Sequence, residues 1–215
     1  MADHLVVSDA AARATGVPAL GDFRRQVKRP LGRVRASRRV LSPGKAKELV
    51  WFFDLDNTLH DASHAIFSHI DLSMTAAVRE TLNVSEEEAH ALRKKYWQRY
   101  GATLIGMVRH HGVSSADFLH RSHNFDIRPL VRADKDLRNR LDKLPGRKVL
   151  LTNAPHNYAR TILSHLGILR CFDSLWAVED MRFHGDFKVK PSPALMRHVL
   201  AHEGVSAHRA VLVED

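Results

Sequence analysis

Two aspartates one residue apart, Asp54 and Asp56, stand at the end of an apolar run, Leu49-Val50-Trp51-Phe52-Phe53. The run is apolar without alternation, so it reads as a strand buried on both faces. Such a strand cannot end in two uncompensated carboxylates, because burying unpaired charge is expensive. A divalent cation is the simplest compensation, and clustered hard oxygen donors suit Mg²⁺. The C-terminal end of a strand is also where open α/β sheets place their ligands. The alternative is an Asp-rich turn capping a helix that starts near Asp61.

Three further segments bring polar groups to strand ends. Val149-Leu150-Leu151 is followed by Thr152 and Asn153. A hydroxyl beside the backbone N–H groups of a helix start can hold a phosphate. Lys190, in Lys188-Val189-Lys190-Pro191-Ser192-Pro193, supplies a cation to a phosphoryl oxygen. Ala210-Val211-Leu212-Val213 ends in Glu214 and Asp215, which complete a metal-binding set with Asp54 and Asp56. Parallel strands would put all four ends on one edge of a sheet.

The elements that must position these residues follow from periodicity. Ile66, Ile70, Met74, Ala77 and Val78 recur at helical spacing. Ser85 with Glu88 three residues on is a capping box, and the helix it opens runs through Gln98. Ser114 caps a shorter helix carrying Phe118 and Leu119. A helix over about 156–166 stops at Gly167, a short strand falls within 174–178, and another helix runs through Met196 and Leu200. Strands alternating with helices predict an α/β fold, a doubly wound (Rossmann-like) parallel sheet. The helical stretch 61–145 is longer than a crossover needs, so it reads as a cap inserted after the first strand. The expected division is 1–47 as an extension, 48–60 with 146–215 as the α/β core, and 61–145 as the cap.

Composition bounds the rest. The chain has 215 residues and a formal net charge of +9. Residues 1–47 hold eleven Lys/Arg against three Asp/Glu, whereas the remainder is nearly balanced. Basic runs such as Arg33-Val34-Arg35-Ala36-Ser37-Arg38-Arg39, broken by Pro18, Pro30 and Pro43, read as a solvated, disordered extension. Contact with nucleic acid through this arm is the alternative. One cysteine, Cys171, excludes a disulfide framework and fits a reducing, cytoplasmic setting. No run of eighteen apolar residues is present, so no membrane-spanning helix is expected.

Asp54-Leu55-Asp56-Asn57-Thr58 resembles the first motif, Asp-x-Asp-x-Thr, of the haloacid dehalogenase-like phosphohydrolases. Thr152, Lys190 before Pro191, and Glu214-Asp215 resemble the second, third and fourth motifs in order. Lys188 is the rival for the third, but the family lysine directly precedes a proline. The resemblance implies that Asp54 attacks phosphorus, that Asp56 is general acid and base, and that Mg²⁺ is the cofactor. Thr152 and Lys190 would stabilise charge on the transferring group. The dehalogenase branch does not need the second aspartate, so Asp56 favours phosphate chemistry.

The insert narrows the resemblance. Trp97-x-x-Tyr100-Gly101-x-Thr103-Leu104-x-Gly106, His110-His111-Gly112 and Asp117-Phe118-Leu119-His120-x-x-His123 look like the helical cap of the pyrimidine 5′-nucleotidase group. This implies a small phosphorylated metabolite as partner, with UMP and CMP first, and a sugar or cofactor phosphate as the alternative. A phosphatase-like body without activity, carried by a nucleic-acid-binding arm, is the non-enzyme alternative. Tyr96, Trp97 and Tyr100 are candidates to stack on a base, or else to pack cap helices together. His64, His110, His120 and His123 lack the spacing of a structural zinc quartet. The family pattern continues beyond its fourth motif, so the sequence reads as a fragment whose core lacks its C-terminal part.

Overall fold

The computed structural model describes residues 48–183 and 185–215. The expectations for the basic arm, 1–47, lie outside the described residues.

Four parallel strands form the sheet: β1 (Val50–Phe53), β2 (Arg147–Leu151), β3 (Ser174–Trp176) and a last strand, Ala210–Val213. A two-stranded antiparallel hairpin, β4 (Arg182–Phe183) and β5 (Asp186–Phe187), makes Ala210–Val213 β6. The sheet order is β3-β2-β1-β6, so β1 lies inside the sheet and β6 at one edge. Phe53 is in register with both Leu150 and Val213. The strand ends are therefore level, and the residues after them emerge together.

Among the described residues seven α-helices accompany these strands: α1 (Ile66–Leu82), α2 (Glu86–Tyr100), α3 (Thr103–His111), α4 (Ser115–Ser122), α5 (Leu137–Lys143), α6 (His156–His165) and α7 (Pro193–Glu203). Side-chain caps sit where the sequence places them. Ser85 Oγ accepts from Glu88 N (3.2 Å) and Ser114 Oγ from Asp117 N (3.3 Å). Asn83 ends α1 in the left-handed region, φ 52°, a conformation Asn tolerates better than most residues.

The sheet is covered on both faces, as a doubly wound fold requires. Phe52, Val149 and Leu151 share one apolar cluster with Leu195 and Val199 of α7. Phe53 and Leu150 share the other with Leu141 of α5 and Ile162 of α6. The first cluster also takes Val78, Met107 and Phe118, so the cap helices α1, α3 and α4 are continuous with the core. Helix α5, inside the stretch 61–145, buries its Leu141 with the sheet instead.

Two details differ from the sequence reading. The strand within 174–178 ends at Trp176, because Ala177 N donates to Asp180 Oδ2 (2.9 Å) and the chain turns into a 3₁₀ segment. The β4–β5 hairpin is not foreseen, since two residues per strand carry no alternation to read.

Candidate active site

The loop after β1 is built by its own side chains. Asp54 N donates to Val213 O (3.0 Å), holding the end of β1 against β6. Asn57 sits at φ 58°, and its Oδ1 accepts from Ala62 N (3.1 Å) and Ser63 N (3.0 Å). The turn thus made places Asp54 and Asp56 in the wall of a cavity of about 690 Å³ between strand ends and cap.

Lys190 is the centre of the polar end. It is 5 % exposed, and its Nζ lies 2.8 Å from Asp54 Oδ1 and 3.0 Å from Glu214 Oε1. One ammonium therefore joins the ends of β1 and β6 to the loop before α7. Asn153 fixes that loop: its Nδ2 donates to Lys190 O (3.2 Å) and its Oδ1 accepts from Lys190 N (3.0 Å). Thr152 is buried on the same wall, its Oγ1 accepting from Ala154 N (3.1 Å) and its own hydroxyl hydrogen left to donate. Lys188 pairs instead with Asp186 (3.1 Å) in β5.

Burial holds the Asp54 carboxyl above the usual range, and Lys190 opposes this only in part. Asp56 is anchored differently. Its Oδ1 accepts from Tyr158 OH of α6 (2.6 Å) and faces His60 Nε2 (2.9 Å). Burial first, and then the Asp56 charge, push the Tyr158 hydroxyl far up, so it stays protonated as a donor. Tyr158 also stands edge-on to His123, whose pKa burial lowers to about 4, keeping it neutral. Neither Tyr158 nor His60 is singled out as a site residue by the sequence. Tyr158 is a buried residue of α6.

The oxygen donors suit Mg²⁺ in kind. That ion is commonly held by one or two carboxylates, with waters and substrate phosphate filling its other positions. Asp54 and Asp56, both in the cavity wall, fit this role. Glu214 is held by Lys190, and Asp215 is exposed and does not line the cavity. Among the described residues no three His, Cys, Asp or Glu side chains form a ready metal cluster.

The three cap aromatics separate. Tyr96 is 4 % exposed, its OH lies 2.7 Å from His111 Nε2, and its ring lies over Gly106, where a Cβ would come within 2.1 Å of Tyr96 Cγ. Tyr100 OH lies 2.6 Å from His110 Nε2, and the Arg109 guanidinium sits over its ring. These two lock α2 to α3 and do not line the cavity. Trp97 does line it, 62 % exposed, together with Phe67 of α1 at 39 %. Phe67 is missed by sequence reasoning because helical spacing marks it as neither core nor site. His90, Arg93 and Lys94 complete that end, Arg93 paired with Asp71 at 2.5 Å.

Level strand ends, a helical insert after β1 and the Asp-x-Asp pair define a class of hydrolase. Residues 50–215 match the model of the haloacid dehalogenase-like hydrolases, and the chain belongs to that family. Among curated proteins it is similar to "Phosphate metabolism protein 8" of Saccharomyces cerevisiae, 26 % identical over 170 residues, covering 74 % of this chain and 52 % of that protein. The chain thus spans about half the length of this relative. Among solved structures it is similar to a HAD phosphatase from Thermococcus onnurineus (18 % identity, 76 % of this chain and 75 % of that one, TM-score 0.49). A haloacid dehalogenase-like family hydrolase from Streptococcus pneumoniae is similar at 17 % identity, 78 % and 76 % coverage, and TM-score 0.48. No helix among the described residues is long and apolar enough to cross a membrane.

Proposed function

We propose that this protein is a Mg²⁺-dependent phosphomonoesterase that hydrolyses nucleoside 5′-monophosphates, UMP and CMP first, through an aspartyl-phosphate on Asp54. The observation that carries the reading is the Lys190 ammonium set 2.8 Å from Asp54 Oδ1, in the same cavity wall as Asp56, Thr152 and Asn153. An anionic nucleophile beside a buried cation is what attack on a phosphate needs. Lys190 and the Thr152 hydroxyl take the phosphoryl oxygens, and Asp54 supplies the attacking oxygen. Asp56 gives its proton to the departing alcohol oxygen, then takes one from the water that cleaves the acyl phosphate. Asp54 and Asp56 would hold Mg²⁺, which when bound neutralises charge between nucleophile and phosphate. Trp97 and Phe67 offer apolar faces to a base. The name of the yeast relative, which speaks of phosphate metabolism, accords with this chemistry.

A phosphate-release panel across nucleotides, sugar phosphates and cofactor phosphates, with and without chelator, tests the reading. UMP and CMP should lead, chelator should stop turnover, and Asp54→Asn should cost several orders of magnitude. Activity surviving in Asp54→Asn but lost in Asp56→Asn would reverse the two roles. A sugar phosphate outrunning UMP would replace the substrate and leave the chemistry standing.

A further inference from the structure

The cavity has a second polar end, in the cap. Helices α1 and α2 form an antiparallel hairpin, tied by Arg79 to Glu86 (3.9 Å) near the turn and by Arg93 Nη1 to Asp71 Oδ1 (2.5 Å) further along. The second pair fixes the register. Four residues back along α1 from Asp71 stands Phe67, and four residues on along α2 from Arg93 stands Trp97. The two aromatics are therefore level with each other, and they line the cavity together with Asp71 and Arg93. Helix α1 starts at Ile66, soon after the β1 loop, so the aromatic pair is the one nearer the catalytic carboxylates. The Asp71–Arg93 pair lies one helical turn, about 5.4 Å, beyond it. Lys94 lines the cavity beside Arg93, and His90 lines it nearly a turn further out. The cavity is thus graded from the Lys190 floor, through two aromatic faces, to a charged far end.

That far end is incompletely satisfied. Asp71 takes Arg93 Nη1, but Arg93 Nε is buried without a hydrogen-bond partner. Arginine and lysine carry donors and no acceptor. Asp71 is the only carboxylate at this end of the cavity wall, and one of its oxygens is already held by Arg93. Donors outnumber acceptors here, so the ligand group that completes this end is an acceptor.

We infer that Arg93 selects among nucleotides by donating to the oxygen on C4 of the base, so that the protein prefers a keto base to an amino base and UMP to CMP. The inference rests on the phosphatase reading above and deepens it. In a pyrimidine nucleotide the C4 substituent is the one farthest from the sugar and hence from the phosphate. With phosphate at Lys190 and the ring against Trp97 and Phe67, this substituent is the part of the base that extends towards Arg93. Uracil presents an acceptor oxygen there, whereas cytosine presents an amino group, which is a donor. A donor set against a guanidinium leaves both unpaired, and the loss is that of a hydrogen bond to a charged group.

The experiment measures kcat/KM of the whole protein for UMP, CMP and ribose 5-phosphate, which has no base. Wild-type protein should prefer UMP to CMP about tenfold, the discrimination expected for one hydrogen bond to a charged group at a site open to solvent. Arg93→Met keeps the aliphatic stem and removes every donor. It should bring the two nucleotides within about threefold of each other, chiefly by loss on UMP, and leave ribose 5-phosphate within about twofold of wild type. Arg93→Gln, whose amide both donates and accepts, should also bring the two nucleotides close together, and Arg93→Lys should keep part of the preference for UMP. Thermal unfolding of each variant checks that it folds, and if Arg93→Met does not, Arg93→Gln decides by the same criterion.

Wild-type protein that takes UMP and CMP equally, or CMP better, overturns the inference and leaves the phosphatase reading standing. So does an equal loss on UMP, CMP and ribose 5-phosphate in Arg93→Met, which would make Arg93 a tie between α1 and α2 and nothing more. A wild-type protein that releases phosphate from none of the three overturns the nucleotidase reading itself and takes this inference with it.

Discussion

At the sheet end of the cavity the polar groups are held by short contacts: Lys190 bridges Asp54 and Glu214, and Asp56 is held by Tyr158 and His60. At the cap end the walls are broad and exposed, Trp97 at 62 % and Phe67 at 39 %. Groups locked by short polar contacts cost no reorganisation when charge develops, so they serve the part of a ligand that never changes. Exposed aromatic faces work through contact area and shape, which lets them distinguish the part that varies. The same division runs through two neighbours in α2. Tyr96 is buried against Gly106, whereas Trp97 faces the cavity.

Three variants sharpen or break this contrast. The largest effect belongs to Lys190→Met, which leaves two carboxylates facing each other without their cation. We expect kcat/KM to fall about 10²- to 10³-fold, the cost of losing one preorganised charge donor. A loss below tenfold in steady-state kinetics would show that the sheet end tolerates disorder. Next is Gly106→Ala, whose new Cβ would meet the Tyr96 ring at 2.1 Å. Overpacking of that kind costs about 1–3 kcal/mol. Each kcal/mol lowers the melting temperature by about 2–4 °C in a domain of this size. Calorimetry showing no drop would mean that Tyr96 is not packed as described. The smallest effect is Trp97→Ala, expected to lower kcat/KM for UMP about tenfold while changing ribose 5-phosphate much less, since one stacked base contributes about 1–3 kcal/mol. Equal losses on both substrates would break the division between the two ends.

The sheet end is largely legible in the sequence because carboxylates after an unbroken apolar run violate the ordinary pattern, and the violation marks the site. Asp54, Asp56, Thr152, Asn153 and Lys190 all line one wall of the cavity. Tyr158 is not legible, since it obeys the pattern: an aromatic at a buried position of α6. Its meaning lies in a partner 102 residues away. The cap aromatics fail for a different reason. Helix α2 buries only Ala89 and Tyr96, too few apolar residues to fix which face turns inward. Tyr96 and Trp97 differ by about 100° around the axis, and only packing against α3 decides between them. Of the two acidic residues after β6, Glu214 pairs with Lys190 and lines the cavity, whereas Asp215 is exposed and does not line it.

The Arg109 guanidinium of α3 grips the Asp186 carboxylate of β5 through two nitrogens, and Lys188 holds the same group. Arg109 holds that carboxyl well below its usual range, so the grip persists throughout neutral pH. It lies in partial contact with solvent, at 40 % and 33 % side-chain exposure. Dissolved ions weaken such a pair over a distance of about 8 Å at physiological ionic strength. Helix α3 is therefore fastened to the segment that leads into Lys190 by a clasp that dissolved salt loosens.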